Sequence, residues 1–218
     1  MKETTLDFNN PTTIEKSLEE SRETLENGGV IVFPTDTIYG LGANALDEDA
    51  ILKIYKIKKR DTGKPISVLV RDIQMAKKIA CIDSRAEEIL KRIWPASITV
   101  ILRKKDIIPY ALTGGEENVA LRISSNEFIK KLFEKIDFPL TATSANLAGE
   151  PNLLKAEDIR QKFENEKYAP DLFINNGNLE NPLPSTIIDL TDINKPRLVR
   201  MGIVGRDRLE AFFRNFIE

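Results

Sequence analysis

Helical and strand-like patterns alternate along this chain, and the alternation restricts the folds that it can adopt. A strand is predicted at 30–33, and most of the later strand-like runs are separated by amphipathic stretches of helical length. Helices between successive strands favour βαβ units. The late runs at 185–190 and 198–201 have no helix between them, which favours antiparallel additions. We therefore predict an α/β fold in a single domain over residues 1–218, with a twisted, mixed parallel/antiparallel sheet and flanking helices.

The ends of the first and last helices are predicted from capping signals and apolar spacing. Thr12 and Glu15 form a capping-box pattern at the start of the first helix, and Gly28–Gly29 supply its stop. The closing helix is expected to carry an apolar face formed by Leu209, Phe212, Phe213 and Phe216.

The composition excludes several kinds of catalysis. The 218 residues include no histidine and one cysteine, which rules out Ser-His-Asp and Cys-His catalysis and an internal disulfide. Cys81 lies between two helical patterns and is interpreted as a small buried residue rather than a nucleophile. The net charge of −2 predicts no general attraction to nucleic acid or membrane. The chemistry that remains relies on carboxylates, hydroxyls, cations, backbone amides and metal ions brought by a substrate.

The sequence carries no recognisable membrane or export signal. The longest apolar runs are strand-sized, far below the roughly 20 residues that span a bilayer. The N-terminus has no hydrophobic core of the signal-peptide type. We therefore expect a cytoplasmic protein with no membrane partner.

The most informative segment runs from residue 28 to 44, GGVIVFPTDTIYGLGAN. A buried strand leads into a loop with Thr35 and Thr37, and such strand ends are where α/β sheets bind ligands. The two hydroxyls could cap local turns or contact a small substrate, and the residue types favour neither. Gly40 and Gly42 do not fit the dinucleotide-binding pattern, because about six residues separate the strand from the first glycine. We interpret these glycines as giving backbone flexibility to a binding loop.

A basic run at 53–64 holds six basic residues against one acid. Such a run at a helix end is commonly a solvated face that complements the helix dipole. Here, however, Lys58, Arg60 and Lys64 lead into a buried strand, where a loop can close on a polyphosphate. No P-loop pattern occurs in the sequence. Together with the hydroxyl loop, the run predicts a small anionic ligand, a nucleotide in particular.

Two further groups of polar residues belong to strands or follow them. Ser144 and Asn146 come just after a strand-like run, a position that by itself is typical of a turn. Arg122 and Arg200 are flanked by apolar strand residues, so each needs either a wet cleft or a buried ion-pair partner. These residues alone do not decide between the two alternatives.

Seven motifs follow one another along the chain: GGVIVFPTDTIYGLGANA, KIKKRDTGKP, WPASITVIL, VALRI, TSANLAG, STIIDL and VRMG. In this order they closely resemble the YrdC-type family of threonylcarbamoyl-AMP synthases. The resemblance covers nearly the whole chain, from about residue 20 to residue 202. It is to a single-domain form that lacks the extra C-terminal domain of longer relatives.

The resemblance implies an enzyme that makes threonylcarbamoyl-AMP and pyrophosphate from L-threonine, bicarbonate and ATP. The product would feed the threonylcarbamoyl modification of the tRNA adenosine beside the anticodon through a downstream threonylcarbamoyl-transferase complex, and tRNA is a further candidate partner. Mg²⁺ would arrive with ATP rather than at a dedicated metal site, and no organic cofactor is expected. The reaction needs positioning and charge stabilisation rather than a protein nucleophile, which suits a chain without histidine.

The family motifs also imply roles for individual residues of this sequence. ATP would be bound by Lys58, Arg60, Lys64, Asn118, Ser144, Asn146 and Arg200. L-Threonine would be bound by Thr35, Thr37, Arg122 and Ser185. The catalytic groups would be Lys58 and Arg60, acting on the phosphates.

Four positions depart from the family pattern. Asp61, Ser97 and Ser124 stand where the family usually has proline, and Ala148 stands where it often has serine. None of the four removes a group that the resemblance assigns to a ligand.

Two other functions compete with this interpretation. One is an RNA-binding module that uses the concave basic surface of the family fold. The other is a carbamoyl-adenylate-handling domain of the kind found in hydrogenase maturation, where partner domains share the chain. The sequence shows no stacking aromatics of the RRM type and its net charge is negative, both of which favour a small-molecule enzyme over an RNA-binding protein.

Overall fold

The computed structural model describes residues 1–179 and 183–212, which contain eleven strands and eight helices. The strands are β1 (Lys2–Thr5), β2 (Ile31–Phe33), β3 (Gly40–Gly42), β4 (Val68–Leu69), β5 (Ile98–Arg103), β6 (Asn118–Arg122), β7 (Leu140–Thr141), β8 (Thr143–Ser144), β9 (Leu172–Asn175), β10 (Thr186–Asp189) and β11 (Arg197–Arg200). The helices are α1 (Pro11–Glu26), α2 (Glu48–Lys58), α3 (Ile73–Ile79), α4 (Ser84–Ile93), α5 (Tyr110–Thr113), α6 (Glu127–Lys135), α7 (Ala156–Glu164) and α8 (Arg206–Phe212).

The strands form two mixed sheets, where the sequence patterns predict one. The five-stranded sheet has the order β1-β9-β2-β3-β8, and the six-stranded sheet has the order β11-β10-β5-β6-β4-β7. Each sheet contains parallel and antiparallel pairs, including the predicted antiparallel pair of β10 and β11. The predicted α/β fold, with mixed strand pairing and flanking helices, is therefore confirmed. Apolar side chains from both sheets join one buried cluster.

Strand β1 is absent from the sequence-based prediction because its residues, KETT, are polar. Parallel pairing with β9 holds it in place, and only Thr4 is buried. Cys81 was expected to be buried, and this is wrong: its backbone N–H donates to Arg103 O at 2.8 Å beside the end of β5, which leaves the residue exposed. None of the helices in the described ranges is both long and apolar enough to span a bilayer.

The N-cap of the first helix lies two residues before the predicted one. Asn10 is the N-cap of α1, and its Oδ1 accepts a hydrogen bond from the Thr12 N–H at 3.1 Å. The capping box assigned to Thr12 is therefore wrong, because Pro11 already occupies the first helical turn. Helix α8 is described as far as Phe212, and the predicted apolar positions Phe213 and Phe216 lie outside the described residues.

Gly40 and Gly42 belong to a strand, so the prediction of a flexible loop at these residues is wrong. They form β3, which pairs antiparallel with β2. The ring of Phe33 lies directly against them: a Cβ atom on Gly42 would be 2.6 Å from Cε1 of Phe33, and one on Gly40 would be 3.0 Å from its Cζ. Phe33 is fully buried and has no room to move aside. Glycine is therefore required here by close approach.

This explanation predicts that Gly42→Ala destabilises the protein. The added methyl group would meet Phe33 and also lie 3.1 Å from Cδ1 of the buried Leu140, so the free energy of unfolding should fall by about 1–3 kcal/mol. Urea unfolding measures the change. Gly63→Ala is a matched control, since its Cβ would meet Asp61 at an ordinary 3.5 Å. Equal stability of the two variants would contradict the explanation.

Candidate active site

A cavity of about 360 Å³ lies where loops and strand ends of the two sheets meet. Its walls include the loop between β2 and β3, the ends of β4, β6 and β8, and the start of β10. Its polar and charged lining residues are Thr35, Thr37, Tyr39, Arg60, Ser67, Thr99, Arg122, Thr143, Ser144, Asn152, Ser185 and Arg200. Seven of the predicted site residues are in this list, namely Thr35, Thr37, Arg60, Arg122, Ser144, Ser185 and Arg200.

Three arginines give the cavity its charge: Arg60, Arg122 and Arg200. Within the described ranges only Arg122 has a carboxylate at ion-pair distance, with Nη2 at 3.5 Å from Asp36 Oδ1. Arg60 donates from Nη2 to Pro65 O at 2.9 Å, while its Nε is buried and has no hydrogen-bond partner within residues 1–179 and 183–212. Three guanidinium groups against one carboxylate give the cavity an excess of positive charge, which suits an anionic ligand.

Arg122 and Asp36 form the most deeply buried charged pair of the cavity. Arg122 is only 5% exposed, and its Nη1 is buried with no hydrogen-bond partner in the described part of the chain. Burial lowers the pKa of Arg122, and the carboxylate of Asp36 acts against that effect. Burial also acts to raise the pKa of Asp36, but Arg122 and the hydroxyls of Ser124 and Ser97 outweigh it, so the pKa of Asp36 lies below its usual value. The lowered pKa favours the ionised carboxylate of Asp36, and an arginine guanidinium stays protonated in proteins.

The two predicted threonines form a local turn and also face the cavity. Thr35 Oγ1 donates to Ile38 O at 2.6 Å and accepts the backbone N–H of Thr37 at 3.0 Å, which is a local turn. Thr37 Oγ1 lies 2.9 Å from Thr35 Oγ1 and is the donor of that pair, because the Thr35 hydrogen is directed at Ile38. Both side chains also line the cavity.

Ser185 and Arg200 lie together in the cavity lining. Arg200 donates from Nη2 to Ser185 O at 3.0 Å, and Ser185 Oγ lies 2.8 Å from Thr99 Oγ1. Thr99 is not among the predicted site residues. Its signal is visible in retrospect, as a single hydroxyl in the apolar run of β5.

Lys58 and Asn146 are buried and are not among the residues that line the cavity. The Lys58 ammonium donates to Ser144 O at 2.5 Å, to Asn146 O at 2.8 Å and to Asn146 Oδ1 at 3.0 Å. Asn146 also accepts from Ser144 Oγ at 2.6 Å and donates to Glu150 O at 2.6 Å. These contacts fix the backbone that presents Ser144 to the cavity. Burial, together with the positive charge of Arg60, lowers the pKa of Lys58 to about 7.

Two other predicted residues are also absent from the cavity lining. Lys64 is exposed in the loop after α2. Asn118 opens β6 opposite Arg103, at the end of the strand remote from Arg122. In these two cases the sequence spacing does not bring the side chain to the cavity.

Tyr39 lines the cavity but is unsuited to act as a base. Its hydroxyl donates to Gly177 O at 2.7 Å and accepts the Asn176 N–H at 3.0 Å. Burial raises the pKa of Tyr39 to about 12, so the phenol stays protonated. The other side chains absent from the prediction, Ser67, Thr143 and Asn152, lie in short loops or strand ends without a distinctive pattern.

Comparison with known proteins identifies the family. The sequence profile of the Sua5/YciO/YrdC family, described as "Telomere recombination", matches residues 23–202. The chain belongs to the Sua5/YciO/YrdC family. The resemblance inferred from the seven motifs is thereby confirmed.

One sequence relative and two solved structures show how similar this Sua5/YciO/YrdC protein is to known proteins. A threonylcarbamoyl-AMP synthase of Pyrococcus abyssi is 34% identical over 187 residues, which cover 85% of this chain and 54% of the relative. A crystal structure of P. abyssi Sua5 complexed with L-threonine gives a TM-score of 0.85 at 30% identity, covering 97% of this chain and 60% of that one. The crystal structure of Escherichia coli YciO gives a TM-score of 0.80 at 30% identity, and the match covers 94% of this chain and 96% of the YciO chain. The chain thus spans about half the length of the P. abyssi synthase.

The burial of Lys58 predicts a specific pH dependence of stability. The unfolded chain holds the Lys58 proton up to an ordinary pKa of 10.5, whereas the folded protein releases it at about 7. The unfolded state therefore binds more protons in that window, and the free energy of unfolding rises with pH. The stability of the wild type relative to Lys58→Met should increase between these two pH values, as measured by urea unfolding at a series of pH values.

Lys64→Met, at an exposed lysine of the neighbouring loop, is the matched control and should follow the pH dependence of the wild type. Parallel stability curves for the wild type and Lys58→Met would show that Lys58 keeps its proton when folded.

Proposed function

We propose that this Sua5/YciO/YrdC protein makes L-threonylcarbamoyl-AMP from L-threonine, bicarbonate and ATP, and releases pyrophosphate. The observation that carries the proposal is the cavity itself, in which Arg60, Arg122 and Arg200 surround one space lined by hydroxyls. Two similarities support it: the P. abyssi relative is named threonylcarbamoyl-AMP synthase, and the P. abyssi Sua5 structure contains L-threonine.

The reaction matches the groups that the cavity offers. The threonine amine attacks bicarbonate, and loss of water leaves a carbamate. A carbamate oxygen then attacks the α-phosphorus of ATP, the bond to the bridging oxygen breaks, and pyrophosphate leaves. No covalent intermediate with the protein is needed, so positioning and charge stabilisation carry the rate enhancement.

Each charged wall of the cavity suits one part of this reaction. Arg122 would hold the threonine carboxylate, because it is buried and charged, and one of its donors has no partner in the part of the chain that the structure describes. Arg60 and Arg200 would neutralise the phosphates, with Ser144 orienting the nucleotide. Thr37 and Ser185 would offer hydroxyls to threonine.

Lys58 and Asn146 would act on the reaction indirectly. Their hydrogen bonds hold the backbone beneath Ser144, so we propose that they shape the nucleotide wall of the cavity.

Magnesium would enter as the Mg–ATP complex, held by the phosphates. The charged side chains that line the cavity are arginines, and within the described ranges no three metal-binding side chains cluster. We further propose that the product passes to a threonylcarbamoyl-transferase that modifies tRNA in the cytoplasm.

An RNA-binding role is not favoured. The arginines of this site line a concave cavity, and Arg122 is buried, whereas RNA binding needs cations on an open surface. The net charge of −2 also disfavours binding to RNA.

The proposal predicts that pyrophosphate release requires L-threonine and bicarbonate together. Purified protein is incubated with Mg–ATP, and pyrophosphate is measured with each co-substrate omitted in turn. Omission of either should reduce release to the background rate, because the nucleophile is the carbamate that both are needed to form. Release without threonine would contradict the proposal and would favour a different carbamoyl-adenylate chemistry.

Two arginine variants serve as matched controls in the same assay. Arg60→Ala should lower turnover at least about tenfold, the effect of losing one charge-assisted contact. Arg103→Ala removes an exposed arginine that does not line the cavity and should retain the wild-type rate. Equal loss in both variants would show that the cavity arginines have no special role.

A further inference from the structure

The carboxylate of Asp36 is held by two serines from the six-stranded sheet. Ser97 Oγ donates to Asp36 Oδ2 at 2.5 Å, and Ser124 Oγ donates to Asp36 Oδ1 at 2.5 Å. Ser97 precedes β5, and Ser124 lies two residues beyond Arg122, the last residue of β6. Each carboxylate oxygen of Asp36 therefore accepts a hydrogen bond from a serine, in addition to any contact with Arg122.

The backbone keeps the two serines in register. Ala96 N–H donates to Ile123 O at 3.1 Å, which joins the segment before β5 to the segment after β6. The Asn126 N–H donates to Ser124 Oγ at 3.2 Å, so the hydroxyl accepts on one side and directs its own hydrogen to Asp36. Ser124 is 3% exposed. This arrangement leaves Asp36 little freedom to rotate.

The contact between Asp36 and Arg122 is weak for so buried a pair. Asp36 Oδ1 lies 3.5 Å from Arg122 Nη2, whereas an unrestrained carboxylate and guanidinium pair through two parallel hydrogen bonds at shorter range. Arg122 therefore keeps unfilled hydrogen-bonding capacity, since its Nη1 has no partner among the described residues. A ligand carboxylate would compete for the same guanidinium that a freely rotating Asp36 would occupy.

We propose that Ser97 and Ser124 are positioning residues that restrain Asp36, so that Arg122 remains available to the substrate carboxylate. The inference rests on the proposed function, in which Arg122 receives the carboxylate of L-threonine. Without the serines, Asp36 turns both oxygens toward Arg122 and acts as an internal competitor. Asp36 itself supplies the charge that allows Arg122 to be buried.

The test measures the dissociation constant of L-threonine by calorimetry and its KM in pyrophosphate release. In Ser97→Ala/Ser124→Ala both should rise about tenfold, the effect of one lost charge-assisted contact, while kcat and the KM for ATP change less than about twofold. Adding Asp36→Asn removes the competing carboxylate and should restore threonine binding to within about threefold of the wild type. If the serines had only a structural role, adding Asp36→Asn would leave threonine binding as weak as in the double variant or weaken it further.

Thr191→Ala is the matched control, because Thr191 Oγ1 donates to Asp189 and Asp189 pairs with Arg197, outside the cavity. It should leave threonine binding unchanged. The single variants Ser97→Ala and Ser124→Ala, each with and without Asp36→Asn, repeat the comparison if a multiple variant does not fold.

Unchanged threonine binding in the serine variants, or no recovery on adding Asp36→Asn, would overturn the inference. Failure of the proposed function looks different: the wild type itself would bind no threonine, or would bind it without releasing pyrophosphate. In the second case calorimetry still decides the role of the serines.

Discussion

The partly buried carboxylate of Asp36 connects the two sheets at the point where the cavity lies. Asp36 belongs to the loop between β2 and β3 of the five-stranded sheet, and its partners Ser97, Ser124 and Arg122 belong to strand ends of the six-stranded sheet. A buried charge must be paired and hydrogen-bonded to be tolerated. The hydrogen bonds and the ion pair of Asp36 therefore hold this loop against the six-stranded sheet. The same contacts place the hydroxyls of Thr35 and Thr37, which belong to that loop.

A second buried charge fixes the opposite side of the site. Lys58 ends α2 and places all three hydrogens of its ammonium on oxygens of Ser144 and Asn146. One aspartate and one lysine thus hold the loops, while three arginines give the cavity its positive charge. Because the guanidinium groups outnumber the carboxylates around the cavity, an anionic ligand would complete the charge balance of the proposed site.

Much of the fold and part of the site could be predicted from sequence. Apolar runs and capping residues give the main helices and strands, and polar residues placed after strands indicate Thr35, Thr37 and Ser144. Periodicity does not report strand pairing, which is why the polar strand β1 and the division into two sheets were missed. It does not report close approach either, so Gly40 and Gly42 were interpreted as flexible when Phe33 requires them. The partners of Lys58 lie 86 and 88 residues away, and the serines around Asp36 stood out only as departures from a family pattern.

The proposed synthesis of threonylcarbamoyl-AMP is best tested by identifying the reaction product. Protein is incubated with Mg–ATP, ¹³C-bicarbonate and L-threonine, and the mixture is analysed by mass spectrometry. Synthesis of threonylcarbamoyl-AMP should give a species that contains AMP, the labelled carbon and threonine, in amounts that match the pyrophosphate released. Pyrophosphate with AMP but no labelled threonine adduct would contradict it, as would an adduct that forms equally well with any amino acid.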